Sequence, residues 1–289
     1  MNAAPRPDDA RLRVGVIGAG RVGAVLGAAL LRAGHEVVAT SAVSEASRAR
    51  AAALLPGVQV LAPDEVCRTA DLVLIAVPDD ALADLVQGLA EVGAFHAGQL
   101  VAHTSGRHGL SVLAPAQGVL PMALHPVLPF TGTAIDVERL AGASFGVTSP
   151  EVLRPIAEAL VVEMGSEPVW VLDELRPLWH AALAHGANHL VTLVSSAADL
   201  LRQAGADDPA AVLGPLLGAA LDGALRSGDA ALTGPVSRGD AGTVAAHLAA
   251  LPEEIRPSYL ALARLTADRA LASGRLAATQ AEPLLGVLQ

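Results

Sequence analysis

The chain has 289 residues, of which 52% are hydrophobic and only 2% aromatic, so its core must be built from closely packed Ala, Val and Leu. That length is sufficient for two domains, each with a core of its own. The formal net charge of -10 excludes a general affinity for nucleic acid or anionic membranes, so a small anionic ligand requires a local cationic site.

Several residue types are missing or rare. All 19 basic residues are arginine, which excludes a lysine Schiff base and any lysine acid or base. Cys67 is the single cysteine and cannot form an internal disulfide. The first residues, MNAAPRPDDARLR, lack the apolar run of a signal peptide or membrane anchor, and the apolar segment 210–225 is interrupted by Pro215 and Asp222. We therefore expect a cytoplasmic protein with no membrane partner, in which 210–225 is a buried core helix.

From Arg13 onward, short β-rich apolar runs alternate with Ala- and Leu-rich helical stretches, which is the pattern of a doubly wound sheet. The predicted strands are 14–17, 36–40, 58–61, 71–77, 100–104, 119–124, 144–148 and 169–172. Their unbroken apolar character indicates strands that are covered on both faces. After residue 172 only helical segments follow. We therefore predict an α/β fold, with a doubly wound sheet domain over 1–172 and an all-helical domain over 173–289.

A glycine-rich turn follows the first predicted strand, in the spacing G-x-G-x-x-G. Gly18 permits a tight turn, Gly20 lets a pyrophosphate approach the backbone, and Gly23 lets the next helix lie close to the strand. The N-terminus of that helix then faces the diphosphate with free N–H groups. This order predicts a dinucleotide-binding domain of the Rossmann type, whereas the alternative is a purely structural turn. The predicted cofactor contacts are Gly18, Ala19, Gly20, Arg21, Val22 and Gly23.

The end of the second strand bears on which dinucleotide binds. An acidic residue there would select NAD by binding the ribose hydroxyls, but this chain has Thr40 and Ser41, followed by Arg48 and Arg50. Hydroxyls and arginines suit the 2′-phosphate of NADP better, with Ser41 and Arg48 as the contacts. The alternative is that the arginines only solvate a helix.

The carboxyl ends of the fourth and fifth strands should line the same crevice. The cofactor contacts predicted there are Val77, Pro78, Thr104 and Ser105. A hydroxyl of Thr104 or Ser105 would bind the carboxamide of the cofactor or a substrate carboxylate. Asp79 and Asp80 are expected to cap the helix that begins at Ala81.

The segments GAGRVG, DLVLIAVPDD, HTSG (103–106), LHPV (124–127) and ALTGPVSRGD (231–240) together carry a resemblance that covers nearly the whole chain. It is similar to a bacterial family of Rossmann-like oxidoreductase-type proteins with a C-terminal helical domain of unknown function. That family belongs to the superfamily of 6-phosphogluconate dehydrogenase, ketopantoate reductase and pyrroline-5-carboxylate reductase. The resemblance implies a substrate cleft between the two domains and a homodimer formed through the helical domain.

One departure from the resemblance concerns catalysis. Ketopantoate reductases and β-hydroxyacid dehydrogenases resemble each other in having a lysine, with an asparagine one turn later, on the first long helix of the second domain. Four residues before Asn188 this chain has Ala184 instead of that lysine.

The segment WHAALAHGANHL offers other candidate catalytic residues. If 174–203 is one α-helix, His180, Ala184 and Asn188 lie along one stripe, whereas His185 and His189 lie along another. A reductase needs a group with a near-neutral pKa to protonate its product, so we predict His180 and Asn188 as catalytic residues. The alternative is a hydrogen-bonded interface histidine. His185 and His189 have the i, i+4 spacing of zinc ligands but no third ligand, so no metal is predicted.

His125 is the other catalytic candidate. It follows the sixth predicted strand and precedes Pro126, a position where side chains tend to face the cleft; the alternative is a hydrogen bond to a loop carbonyl.

The loop ALTGPVSRGD holds the candidate substrate-binding residues Thr233, Ser237 and Arg238, because an arginine can bind a carboxylate through two parallel hydrogen bonds. Asp240 is expected to cap the helix that follows, and the alternative is a purely structural turn.

The sequence thus predicts an NADP-dependent reductase of a small carbonyl or imine substrate, with a 2-keto acid such as ketopantoate as the first to test. The alternative from another class is a non-catalytic dinucleotide-binding protein that acts as a sensor or assembly partner. A third hypothesis is an enzyme that also transfers hydride but uses a deazaflavin cofactor as the partner.

Overall fold

The structure is a computed structural model that describes residues 11–289. By their internal contacts these residues form two compact units, one that ends at Gly186 and one that comprises Ala187–Gln289. The sequence predicts a boundary earlier, after residue 172. The division falls later because helix α7 (Arg176–Leu183) is fastened to the sheet of the first unit through the buried side chain of Arg176.

The first unit is built on an eight-stranded sheet with the order β3-β2-β1-β4-β5-β6-β7-β8, and every neighbouring pair is parallel except β6 and β7. All eight strand positions predicted from the sequence are confirmed. The direction of the winding reverses between β1 and β4, so the carboxyl ends of these strands form the switch point where ligands bind in such sheets. The strands are β1 (Arg13–Ile17), β2 (Glu36–Ser41), β3 (Gln59–Val60), β4 (Leu72–Ile75), β5 (Leu100–His103), β6 (Leu120–Val127), β7 (Ser144–Thr148) and β8 (Glu167–Trp170).

Helices cover both faces of this sheet. Leu72 and Leu74 of β4 belong to one buried apolar cluster, whereas Val73 and Ile75 belong to another. Because successive strand residues point to opposite faces, β4 must be apolar throughout, as its sequence indicated. The helices that precede α7 are α1 (Arg21–Arg32), α2 (Glu45–Leu54), α3 (Pro63–Thr69), α4 (Asp79–Glu91), α5 (Ala134–Arg139) and α6 (Arg154–Glu163).

Strand β6 is longer than predicted, and this extension places one candidate residue. Strand β5 ends at His103, which pairs with Ala123, but β6 continues to Val127. Antiparallel β7 pairs with the extension, where His125 lies opposite Gly146. His125 is therefore inside a strand and not in the loop after it, because pairing with β7 keeps the backbone extended.

The expectation of one α-helix over 174–203 is wrong. Helix α7 ends at Leu183, a π-helical turn spans Ala184–Asn188, and α8 begins at His189. A π turn closes i→i+5 hydrogen bonds, so the residues no longer advance by the angle of an α-helix. The predicted stripe of His180, Ala184 and Asn188 does not follow from the helical repeat, and Asn188 falls in the second unit.

The second unit is all-helical, as predicted. Its helices are α8 (His189–Gln203), α9 (Pro209–Ser227), α10 (Pro235–Arg238), α11 (Ala241–Ala250), α12 (Arg256–Ala272) and α13 (Ala278–Val287). Val244, Ala267 and Leu284 lie at the centre of its small apolar core. Asp240 caps α11 as expected, since its carboxylate accepts the backbone N–H of Thr243 at 3.1 Å. Within residues 11–289, no helix is both long and apolar enough to cross a membrane.

Helix α9 is not the buried core helix that the sequence predicted. Its buried residues are Pro209 and Leu213, whereas Leu216, Leu221 and Leu225 are 62%, 52% and 80% exposed. Helix α8 contains no buried residue. The apolar residues of these helices therefore lack cover from the described chain.

We propose that a second copy of the chain covers this apolar surface, and we expect light scattering at micromolar concentration to give the mass of a dimer. Leu225→Glu should shift the mass towards that of the monomer, because it places a charge on the surface to be buried. Val152→Glu, at an 80% exposed position of the first unit, is the control and should leave the dimer intact. A monomeric parent protein would refute the proposal.

Candidate functional site

The glycine loop between β1 and α1 has the features of a pyrophosphate site. Gly18 has a φ of +94°, a left-handed value that glycine adopts without strain. A Cβ on Gly23 would collide with the carbonyl oxygen of Gly18, so α1 approaches β1 only because residue 23 is glycine. A Cβ on Gly20, in contrast, would meet no atom within 4 Å. The space beside Gly20, at the first turn of α1, is therefore open for a phosphate group.

The hydroxyls at the end of β2 bind the protein itself. The Thr40 hydroxyl donates to the carbonyl of Val16 at 3.0 Å. The Oγ of Ser41 accepts the backbone N–H of Gly18 at 3.0 Å, and the Ser41 carbonyl accepts the N–H of Ala19 at 2.8 Å. Ser41 thus holds the glycine loop against β2.

Three arginines lie on the helices next to this loop and form no ion pair within residues 11–289. Arg21 is the first residue of α1, and Arg48 is exposed on α2. Arg50 and Arg21 both pack against Gly132, where a Cβ would lie 2.7 Å from the Nε of Arg50 and 2.8 Å from the Cγ of Arg21. Asp136 fixes Gly132 by accepting its N–H at 2.7 Å. The connection after β6 therefore lies against two cationic side chains.

The ends of β4 and β5 lie beside the glycine loop, as the topology requires. A Cβ on Gly18 would lie 3.2 Å from the Cγ1 of Val77, so Val77 packs directly on the loop. The Thr104 hydroxyl makes no hydrogen bond within the described chain, which leaves it available to a ligand. Ser105 is buried, and its Oγ accepts the N–H of His108 at 3.1 Å. Of these two predicted hydroxyl contacts, Thr104 alone has an unused side chain.

Asp79 and Asp80 do not cap a helix at Ala81, because α4 already begins at Asp79, directly after Pro78. They occupy its first turn, where the helix dipole favours negative charge. Arg107 pairs with both, at 3.3 Å from Asp79 and 2.7 Å from Asp80. The pairs tie the loop after β5 to the start of α4.

A fully buried arginine holds this loop, residues 104–109, against the rest of the sheet. The guanidinium of Arg176 donates to the carbonyls of His108 (2.6 Å), Ser105 (2.5 Å) and Gly146 (3.4 Å) and to the Thr148 hydroxyl (3.0 Å). Burial lowers its pKa to about 10, which leaves it charged at neutral pH. Arg176 therefore joins α7, β7 and the loop after β5 at one point.

His103 also braces the loop. Its Nδ1 accepts the backbone N–H of Ser105 at 3.2 Å, so Nε2 carries the proton and donates to the carbonyl of Gly109 at 3.2 Å. Burial, assisted by the charge of Arg176, lowers the pKa of His103 to about 3. His103 is thus a neutral structural residue with both ring nitrogens in use.

His125 lies in the same region with one ring nitrogen in use. Trp179 of α7 donates its indole Nε1–H to the Nδ1 of His125 at 3.2 Å. Burial, followed by the charges of Arg176 and His180, lowers the pKa of His125 to about 4. His125 is therefore neutral at physiological pH, and its remaining proton is on Nε2.

His180 faces His125 from α7. The two ring centroids are 5.7 Å apart and the rings are nearly perpendicular, at 86°. A Cβ on Gly106 would lie 2.6 Å from the Cδ2 of His180 and 2.8 Å from the Nε2 of His125, so both rings approach because residue 106 is glycine. The structure brings together two of the three predicted catalytic residues: His125, on the part of β6 that extends past the carboxyl end of β5, and His180, on α7.

Three further candidates lie on the π turn and at the start of α8. Asn188 is exposed at the end of the π turn in the second unit, and His185 and His189 are exposed as well. Among the described residues, no group of three or more His, Cys, Asp or Glu side chains is placed to hold a metal ion.

The predicted substrate loop of the second unit lines an open cavity of about 550 Å³, to which Thr233, Ser237, Arg238 and Arg275 contribute. Ser237 is buried and donates to the carbonyl of Gly234 at 3.1 Å. Arg275 was not predicted. It adds a second guanidinium to the cavity.

Sequence reasoning missed Trp179, Arg176 and Gly146. Trp179 offered a weak signal, because it is one of two tryptophans in the chain and directly precedes His180. Arg176 offered none, since a buried arginine has the same sequence pattern as an exposed one.

These observations define a class of protein: a doubly wound dinucleotide-type domain with a histidine pair at its sheet edge, followed by a helical domain. Residues 2–126 match the model of the Rossmann-like domain, and residues 143–266 match a domain of unknown function, DUF2520. The chain therefore consists of a Rossmann-like domain followed by a DUF2520 domain. No curated protein sequence matches it.

Solved structures share the fold at low sequence identity. A candidate NADP oxidoreductase from Bacteroides fragilis is 22% identical, with a TM-score of 0.76 over 89% of this chain and 98% of that one. An NADH-preferring ketol-acid reductoisomerase from an uncultured archaeon is 16% identical (TM-score 0.62; 91% and 84%). Pyrroline carboxylate reductase from Plasmodium falciparum, with NADP bound, is 12% identical (TM-score 0.57; 91% and 97%). The chain thus shares its fold with these proteins.

We expect Arg176→Met to destabilise the first unit by about 2–4 kcal/mol, because it leaves buried carbonyls without a donor. Urea unfolding followed by tryptophan fluorescence measures this, since Trp170 and Trp179 both lie in that unit. Arg32→Met, which removes an exposed ion pair with Glu138, is the control and should cost no more than about 1 kcal/mol. Equal losses in the two variants would contradict the role given to Arg176.

Proposed function

We propose that the protein is an NADP-dependent reductase of a small carbonyl or imine substrate. The observation that carries the proposal is the pairing of His125 and His180 at the carboxyl edge of the sheet that bears the glycine loop. Ligands of open α/β sheets bind at this edge. A histidine pair there supplies a hydrogen-bond donor and a proton donor beside the expected position of the reacting carbon.

The residues at the glycine loop fit a dinucleotide. Open space beside Gly20 admits a pyrophosphate, and Gly18 and Gly23 have backbone surroundings that exclude any side chain. Arg21, Arg48 and Arg50 favour NADP over NAD, because they offer positive charge to a 2′-phosphate and no acidic residue stands at the end of β2. When bound, NADPH supplies the hydride.

The two histidines have different roles in this proposal. His125 is neutral and donates the proton of its Nε2 in a hydrogen bond to the acceptor atom of the substrate, which stabilises the negative charge that develops there. His180 makes no hydrogen bond within the described chain, so its ring is free to transfer a proton to that atom. With these two histidines as hydrogen-bond donor and proton donor, the reaction needs no lysine.

The second unit by itself contains a cavity whose side chains suit a carboxylate. Arg238 forms no hydrogen bond or ion pair within residues 11–289 and lines the same cavity as Arg275. Two guanidinium groups in one cavity suit a carboxylate, as carried by a 2-keto acid.

The alternative function is that of a dinucleotide-binding sensor without turnover, and the presence of Ala184 in place of a lysine favours it. Oxidation of NADPH with a panel of 2-keto acids, aldehydes and cyclic imines distinguishes the two.

Cofactor choice is testable by binding alone. We expect tighter binding of NADPH than of NADH, and Arg48→Ala should narrow the difference by removing a cation from the 2′-phosphate. Isothermal titration calorimetry measures both affinities, with Arg154→Ala as the control because Arg154 lies on α6 and pairs with Glu151. Gly20→Val should abolish binding of either cofactor by filling the open space. Equal affinities for NADPH and NADH in the parent protein would count against NADP.

Measurements of turnover by variants test the proposed catalytic residues. His180→Ala and Asn188→Ala should each lower kcat about a hundredfold or more, while the Kd for NADPH changes little, because the dinucleotide contacts lie at the glycine loop. Asn188→Ala should also raise KM if its amide holds the substrate. His185→Ala and His189→Ala are the matched controls at exposed positions. If they impair turnover as strongly as His180→Ala, His180 has no special role and His125 becomes the leading candidate.

A further inference from the structure

The indole of Trp179 occupies a space that is open only because residue 146 of β7 is glycine. A Cβ on Gly146 would lie 2.7 Å from both the Cε2 and the Nε1 of Trp179, so the indole lies directly against the backbone of β7. Gly146 pairs with His125 across β6 and β7. The missing side chain at residue 146 therefore lets the indole reach the imidazole beside it, with Nε1 and Nδ1 3.2 Å apart.

This contact fixes the direction of one hydrogen bond. An indole N–H is a donor only, so the Nδ1 of His125 must be the acceptor. The neutral ring then carries its proton on Nε2. Among residues 11–289 no acceptor binds that nitrogen. In the same part of the chain, the one buried side-chain nitrogen or oxygen without a partner is Asp136 Oδ1, so the Nε2 of His125 is not buried and solvent reaches it. The Nε2–H is therefore a hydrogen-bond donor that is available to a ligand.

The charges that act on His125 are Arg176 and His180 from α7 and Asp79 from α4. Arg176 is fixed in the interior by its hydrogen bonds to carbonyls. The charges of Asp173 and Asp79 act on it, but within the described residues neither carboxylate forms an ion pair with it: Asp173 accepts the N–H of Leu110, and Asp79 pairs with Arg107. Arg176 is the largest of the charges that act on His125, so the Nε2–H belongs to a neutral ring that lies close to a fixed positive charge. Such a site stabilises an acceptor that becomes negative and repels one that is already positive.

We propose that Trp179 is a positioning residue that keeps the proton of His125 on Nε2, and that the site consequently selects neutral carbonyl substrates over protonated imines. The second half of this inference rests on the proposed reductase function, whereas the first half is independent of turnover. A carbonyl oxygen accepts the Nε2–H and gains negative charge as hydride arrives at carbon, after which a proton from His180 completes the alcohol. A protonated imine has no lone pair for the Nε2–H.

The tautomer is measured by long-range 1H–15N correlation spectra of the histidine rings in the full chain, with the signals of His125 assigned by their loss in His125→Gln. We expect a protonated Nε2 and an unprotonated Nδ1 in the parent protein at neutral pH. Trp179→Phe should give a mixture of the two tautomers, whereas Trp170→Phe should leave the parent pattern. A protonated Nδ1 in the parent, or an unchanged pattern in Trp179→Phe, would overturn the positioning role.

A second measurement applies even if Trp179→Phe does not fold. The chain has two tryptophans, so its spectrum contains two indole N–H signals. His125→Phe should shift one of them and accelerate its exchange with solvent, because the acceptor is gone. If both indole signals are unaffected, the hydrogen bond does not exist in solution and the proposal fails.

The substrate half is tested with NADPH and matched pairs of a 2-keto acid and a cyclic imine. We expect turnover of the keto acid, with kcat about five- to tenfold lower in Trp179→Phe and KM nearly unchanged, since one positioning hydrogen bond is lost. Faster reduction of the imine at a pH where it is protonated would overturn the selectivity. If neither class is reduced, the reductase function fails, and with it the selectivity, while the NMR result on Trp179 stands by itself.

Discussion

The candidate site depends on the buried guanidinium of Arg176. Its donors bind backbone carbonyls of the loop after β5 and of β7, so one side chain sets the distance between these elements and α7. Trp179 and His180 lie three and four residues further along α7, on the helical face that Arg176 holds against the sheet. Because the guanidinium is rigid and planar and binds several acceptors at once, it holds the start of α7, and with it these two residues, against the sheet.

The same charge sets the chemistry of the surrounding histidines. A buried guanidinium that forms no direct ion pair is stable only when its donors are satisfied, and here carbonyl oxygens and the Thr148 hydroxyl satisfy them, while the charges of Asp173 and Asp79 add support. Protonating His103 or His125 would add a second positive charge in a poorly solvated region, so their pKa values fall to about 3 and about 4. One of these neutral rings braces a loop. The other keeps an N–H without an acceptor in the described chain, at the sheet edge where ligands of such folds bind.

The histidine pair also joins the two matched domains. His125 lies within the Rossmann-like match, whereas Trp179 and His180 lie within the DUF2520 match, although all three belong to one compact unit of the fold. The antiparallel β7 and its partner β8 belong to the second match as well. The DUF2520 segment thus extends the sheet before it becomes helical, and the extension supplies Gly146, on which Trp179 rests.

The sequence by itself determined the sheet and the glycine loop. The central strands were predictable because residues covered on both faces must be apolar throughout, whereas the edge strands β3 and β8 were found by their β-rich composition although they are largely exposed. Gly18 and Gly23 were predictable because their backbone geometry tolerates no side chain. The cap at Asp240 followed from equally local chemistry. His125 and His180 were singled out by residue type and position, but nothing local indicated that they meet, since 54 residues separate His125 from Trp179 in the hydrogen bond that positions it.

Tertiary structure alone decided the rest. The π turn at Ala184–Asn188 interrupts a helix whose composition is helical throughout, and α9 is exposed although it is apolar, because burial depends on what surrounds a segment and not on its own residues. The Oγ of Ser41, which is predicted as a cofactor contact, accepts the backbone N–H of Gly18, and no local pattern indicates this bond between residues 23 positions apart. Periodicity and backbone constraints act over a few residues and are visible in the sequence, whereas a hydrogen bond between distant elements exists only once the chain has folded.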